Sequence, residues 1–66
     1  MDDPRPVYRV QPERGQWRLS RNDELLQRFE TKGEAVEEGR KLARAERPSQ
    51  LVVHDRGAMV EVESIY

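Results

Sequence analysis

Residues 31–47, TKGEAVEEGRKLARAER, decide the fold, because they read as one capped amphipathic helix against which everything else packs. Thr31 followed three residues on by Glu34 is a capping box. The hydroxyl accepts the Glu34 amide and the carboxylate reaches back to the Thr31 amide, satisfying two donors that a helix start leaves orphaned. Phe29, two positions before the cap, clamps the entering chain onto the core. Ala35, Val36, Gly39, Leu42 and Ala43 recur at helical spacing on one stripe, and the small residues among them let the helix sit close to what it covers. Gly39 costs about 1 kcal/mol relative to alanine inside a helix. Close approach of a bulky residue such as Trp17 is the expected compensation. Acids lead (Glu34, Glu37, Glu38) and bases follow (Arg40, Lys41, Arg44), which suits the helix dipole. Glu37 and Lys41 form an i,i+4 pair in the favourable order. Pro48 ends the helix by pushing the residue before it out of the helical region.

Upstream of this helix the pattern changes to strands. Val7–Gln11 alternates, with Tyr8 and Val10 on one face and Val7 and Arg9 on the other. Pro12-Glu13-Arg14-Gly15 is a turn in which Gly15 takes the positive φ that the exit needs. Gln16–Arg21 follows, with Trp17 and Leu19 on the apolar side. Asn22-Asp23 turns the chain into Glu24–Phe29. There Leu25 and Phe29 are expected inward, with Leu26 and Arg28 outward. Downstream, Pro48-Ser49 leads to a β-branched strand, Gln50–His54. Asp55-Arg56-Gly57 turns again, and Ala58–Ile65 closes the chain. The order β-β-β-α-β-β predicts an α+β fold, an antiparallel sheet with one α-helix packed across one face. Residues 1–5 are expected to be a flexible lead-in and residues 6–66 a single domain.

The chain has 66 residues and no cysteine, which excludes disulfides and thiolate metal sites. A domain this small buries only about 60% of the surface of its unfolded chain, so self-association is a natural way to gain burial. Charged residues make up 38% of the sequence, yet the net charge is -1. A dedicated polyanion binder carries a basic excess, and this chain does not. The start lacks the basic and apolar pattern of a signal peptide, and no apolar run reaches membrane-spanning length. A cytoplasmic protein with no membrane, metal or cofactor requirement is the expectation.

Several motifs, taken in order, resemble a family of small bacterial proteins carrying only the label of a domain of unknown function. They are Trp17 in the second strand, Phe29 before Thr31-Lys32-x-Glu34-Ala35, Leu42-Ala43 late in the helix, and Leu51-Val52-Val53-His54 afterwards. The resemblance runs from about Tyr8 to Glu63. Two places depart from it. The turn reads Asp55-Arg56-Gly57-Ala58 where that family usually has Asp-Gly, and Leu19 stands where valine is usual. The resemblance implies a compact α+β domain and no particular activity.

His54, the single histidine, is the first candidate for chemistry, as a general base or metal ligand. Asp55 follows it directly, and adjacent strand residues point to opposite faces, so the pair is poorly arranged for catalysis. A structural histidine at a strand end is the better reading, and no enzyme activity is expected. The carboxylates have too little chain around them to form an enclosed pocket. Arg9, Arg18, Arg28 and Ser20 form the most informative set. If Tyr8, Trp17 and Phe29 face the helix, these four share the open face of the sheet, where they are candidate contacts for a partner or for nucleic acid. Glu61 and Glu63 are placed to neutralise them by cross-strand pairing. The sequence therefore points first to a non-catalytic binding or assembly module, engaging a protein partner or a second copy of itself. A nucleic-acid-binding accessory domain is the alternative. Trp17, Phe29, Thr31, Glu34 and His54 are assigned structural roles.

Overall fold

A computed structural model describes residues 5–57 and 59–66. In chain order it contains β1 (Val7–Glu13), β2 (Gln16–Arg21), β3 (Glu24–Phe29), α1 (Lys32–Ala45), β4 (Gln50–His54) and β5 (Val60–Ile65). The lead-in expected over residues 1–5 lies, except for Arg5, outside the described residues, as does Ala58 at the expected start of the last strand.

The five strands form one sheet in the order β3-β2-β1-β4-β5. This corrects the expectation of an antiparallel sheet, because β1 and β4 pair in parallel, with Tyr8 opposite Leu51 and Val10 opposite Val53. The physical reason is the crossover. After two hairpins β3 runs in the direction of β1, and α1 carries the chain back across the face to the end from which β1 started. A strand laid beside β1 from there must run parallel to it. Leu51, Val52 and Val53 are all buried. Leu51 and Val53 lie under α1, whereas Val52 is buried on the other face, so the run is apolar on both sides, as in parallel strands generally.

The first hairpin closes on a two-residue turn in which Arg14 (φ 48°) and Gly15 (φ 81°) are both left-handed. That is a type I′ geometry, whose twist matches the flanking strands. Pro12 lies inside β1, opposite Trp17. Its nitrogen points toward the β4 side, where pairing has already stopped at Val10, so no ladder bond is lost. In β3 a bulge places Leu25 opposite Ser20 and Gln27 opposite Leu19. Leu25 and Phe29 therefore do not share a face, because the extra residue, Leu26, shifts the alternation by one.

One face of the sheet carries the core, with Tyr8, Val10, Trp17, Leu19, Leu51 and Val53 packed against Ala35 and Ala43 of α1. Gly39 is the point of closest approach. A Cβ there would lie 2.9 Å from Leu51 Cδ1 and 3.4 Å from Leu19 Cδ1. The residues pressing on it are thus Leu51 and Leu19 rather than Trp17. Thr31 caps the helix, its hydroxyl accepting the Glu34 amide at 3.2 Å and donating to Glu34 Oε1 at 2.8 Å. The carboxylate accepts from the threonine hydroxyl instead of reaching the Thr31 amide. At the other end Ser49 Oγ donates to the Ala43 carbonyl at 2.6 Å, so a buried hydroxyl satisfies a helix-end carbonyl.

Candidate functional site

Registers place Arg9, Arg18, Ser20 and Arg28 on the face away from α1. Arg9 lies opposite Ser20, and Arg18 lies between Gln11 and Arg28. The four come together, but they do not make an open basic surface. Glu13, from the end of β1, accepts from Arg28 Nε at 2.8 Å and from Arg18 Nη1 at 3.4 Å. The Arg28 guanidinium holds the Glu13 carboxyl below its ordinary range, with smaller help from Arg18 and Arg14. Ser20 is buried, at 4% exposure, and presents nothing to a partner. Arg9 turns its Nη1 to within 3.4 Å of His54 Nε2. An arginine can only donate, so in that contact the histidine nitrogen is the acceptor.

His54 ends β4 and is itself buried. Asp55 does not serve it. Its Oδ1 accepts the Gly57 amide at 2.9 Å and the Met59 amide at 3.0 Å, fastening the turn into β5. Among the described residues no three histidine, aspartate or glutamate side chains converge as a metal site would need. Trp17 and Phe29 lie opposite one another on the helix side, and Lys32 Nζ stands 5.8 Å from the centre of the indole. Glu61 pairs with this Lys32 and not with the arginines, because a bulge between Val53 and His54 turns it toward the helix.

A cluster that the sequence did not single out closes the C-terminal end of α1. Glu46 accepts from Arg21 Nε at 2.9 Å, from Arg21 Nη2 at 2.7 Å and from the Tyr8 hydroxyl at 2.5 Å. Arg21 and Tyr8 are themselves cross-strand partners, so one carboxylate ties the helix end to β1 and β2 together. Arg21 first, then Tyr8, lowers the Glu46 carboxyl to about 2 from an ordinary 4.5. Burial, followed by the glutamate, pushes the Tyr8 hydroxyl upward. A depressed carboxyl contributes stability in full above its unfolded value, and that contribution is lost as pH falls through the folded value. Thermal melts of the native chain are therefore expected to fall in midpoint between pH 4.5 and pH 2. The fall should be shallower in Glu46→Gln, with the part due to Glu13 remaining. Equal slopes in the two proteins would remove Glu46 from this role.

Among the described strands, β5 is the least covered. The helix lies against β1, β2, β3 and β4 and reaches β5 through the Lys32–Glu61 ion pair. Val60, Val62, Ile65 and the preceding Met59 are between 43% and 68% exposed. Between α1 and β5 runs an open groove of about 500 Å³, floored by Val36, Leu51, Val53 and Val62 and walled by Glu37, Arg40 and the paired Lys32 and Glu61. The outer edge of β5 also carries free main-chain groups. Ser49 and Tyr66 exchange both hydrogen bonds, at 3.1 and 2.9 Å. In an antiparallel ladder the bonded pairs recur every second residue. Leu51–Ser64 and Val53–Val62 are thus the bonded pairs, and the N–H and C=O of Glu63 and Ile65 point away from the sheet. Only part of this was readable in the sequence: Met59 stands outside the main apolar face, whereas alternation sets Val60 and Val62 on one face and the bulge at Glu61 separates them.

A family model described as an uncharacterized protein conserved in bacteria (DUF2188) matches residues 8–66. The chain belongs to the DUF2188 family. The match takes in both hairpins, the helix and the whole of β5, so the edge just described lies within the family's own domain. No curated protein and no solved structure matches the chain. The DUF2188 assignment agrees with the resemblance carried by Trp17, the Thr31–Ala35 helix start and the Leu51–His54 strand. Among the described residues, no helix is long and apolar enough to cross a membrane.

Proposed function

We propose that this DUF2188 chain is a non-catalytic binding module that takes on a protein segment as an added strand along β5. One observation carries the reading. The edge strand has outward main-chain donors and acceptors at Glu63 and Ile65, flanked by exposed apolar side chains and by a groove with an apolar floor between charged walls. Exposed edges of this kind are templates for strand addition, where the main chain supplies affinity and side-chain pockets supply selectivity. The opposite edge, β3, suits this less well, because its one exposed large apolar side chain is Leu26, against Val60, Val62 and Ile65 of β5. The buried histidine and the engaged Asp55 weigh against a catalytic role. Glu13, holding Arg18 and Arg28, weighs against nucleic acid on the open face, since phosphate binding needs those cations available. Selection from a display library of random linear peptides tests the proposal. The recovered peptides are expected to shift the amides of Val60–Ile65 and to lose binding to Val62→Lys. Binders that map to β3 or to the arginine face would contradict it.

A further inference from the structure

The occupant of the β5 edge can be narrowed by charge, an inference that rests on the edge-binding reading above. On the face away from α1, β5 presents Val60, Glu63 and Ile65, opposite His54, Val52 and Gln50 of β4. Glu63 is exposed and, among the described residues, enters no ion pair or side-chain hydrogen bond. Its own main-chain groups point outward. A residue of an added antiparallel strand bonded to Glu63 would therefore stand directly beside this carboxylate, on the same face. The neighbouring positions of that strand, opposite Val62 and Ser64, would project on the helix side into the groove over Val36, Leu51 and Val53.

We infer that the β5 edge selects an extended peptide carrying a lysine or arginine opposite Glu63, with apolar residues opposite Ile65 and Val62. Read from its own N-terminus, the complementary stretch is apolar, small, basic, apolar. A second copy of β5 does not meet this requirement. From Met59 to Tyr66 the chain has no basic residue. In any register a copy of β5 sets a glutamate or an uncharged residue against Glu63. Like charges directly opposite destabilise a strand pair, and an uncharged residue leaves the carboxylate unanswered.

The test uses the full chain and two synthetic six-residue peptides, blocked at both ends. One is Thr-Ile-Ser-Lys-Val-Thr, and the other has glutamate in place of lysine. Titration followed by amide shifts in β5 should show tighter binding of the lysine peptide, by up to about fivefold at low salt. The preference should shrink at high salt, as an exposed pair is screened, and should reverse in Glu63→Lys. The two-peptide comparison uses the unaltered chain, so it stands whether or not that variant folds. Equal affinities, or preference for the glutamate peptide, with β5 still shifting, would overturn the charge selection and leave strand addition intact. Absence of β5 shifts with either peptide would overturn both. A dimer in light scattering that is abolished by Val62→Lys would make the second copy the occupant, and the present inference would be wrong.

Discussion

Trp17→Ala is expected to remove about 3–5 kcal/mol of stability, the range for truncating a large buried aromatic. A domain of 66 residues holds roughly 3–10 kcal/mol in total, so this single change consumes a large part or all of it. The reasons are specific to the site. The indole is only 7% exposed and lies in the cluster with Leu19 and Val10. Phe29 stands opposite it and Lys32 lies over its ring. Removal also undermines the hairpin, since Trp17 pairs with Pro12, where β1 has no β4 neighbour to support it. Urea denaturation followed by far-ultraviolet circular dichroism measures the loss. A change under about 1 kcal/mol would mean that the indole contributes to the surface and not to the core.

Gly39→Leu is the second large effect, and it acts by overpacking. The first added carbon would already stand 2.9 Å from Leu51 Cδ1, in a region where Leu51, Leu19 and Val10 are fully buried. Three further carbons have nowhere to go unless α1 lifts from the sheet. The expected cost is about 3 kcal/mol, at the upper end for inserting methylenes into a packed core, despite the better helix propensity of leucine. Gly39→Ala sets two terms of similar size against each other. The propensity gain of about 1 kcal/mol is offset by the contact with Leu51, so its effect should be small beside that of leucine. Thermal melts of the three proteins give the comparison. If the leucine variant matched the wild type, the helix would not approach the sheet as closely as Gly39 indicates.

Much of this architecture was legible in the sequence where the cause is local. The threonine cap, the small stripe of α1, the Gly15 turn and the helix-facing side of β1 and β2 follow from spacing and turn chemistry alone. Features that depend on non-local geometry were harder to read. The parallel β1–β4 pair depends on where the crossover lands. Its trace in the sequence is the unbroken Leu51-Val52-Val53 run, which alternation-based reading treats as just another strand. The β3 register hinges on one bulged residue, Leu26, and a shift of one inverts every face. Glu46 carries no local signal, and only the folding of β1 against β2 brings Arg21 and Tyr8 to it. The arginines of the open face were placed correctly by alternation. That Arg18 and Arg28 pair with Glu13 and not with Glu61 depends on a strand-end position and on the β5 bulge, which no local pattern encodes.

In this structure α1 lies against β1, β2, β3 and β4 and leaves β5 as an open edge. Amide hydrogen exchange along β5, in dilute protein and again with a bound strand-forming peptide, reads that edge residue by residue. In the free chain the Val62 and Ser64 amides, bonded to β4, should exchange slowly while those of Glu63 and Ile65 exchange fast. Binding should slow Glu63 and Ile65 and leave β3 unchanged. Slow exchange at Glu63 and Ile65 in dilute free protein, or no slowing on peptide binding, would contradict the claim.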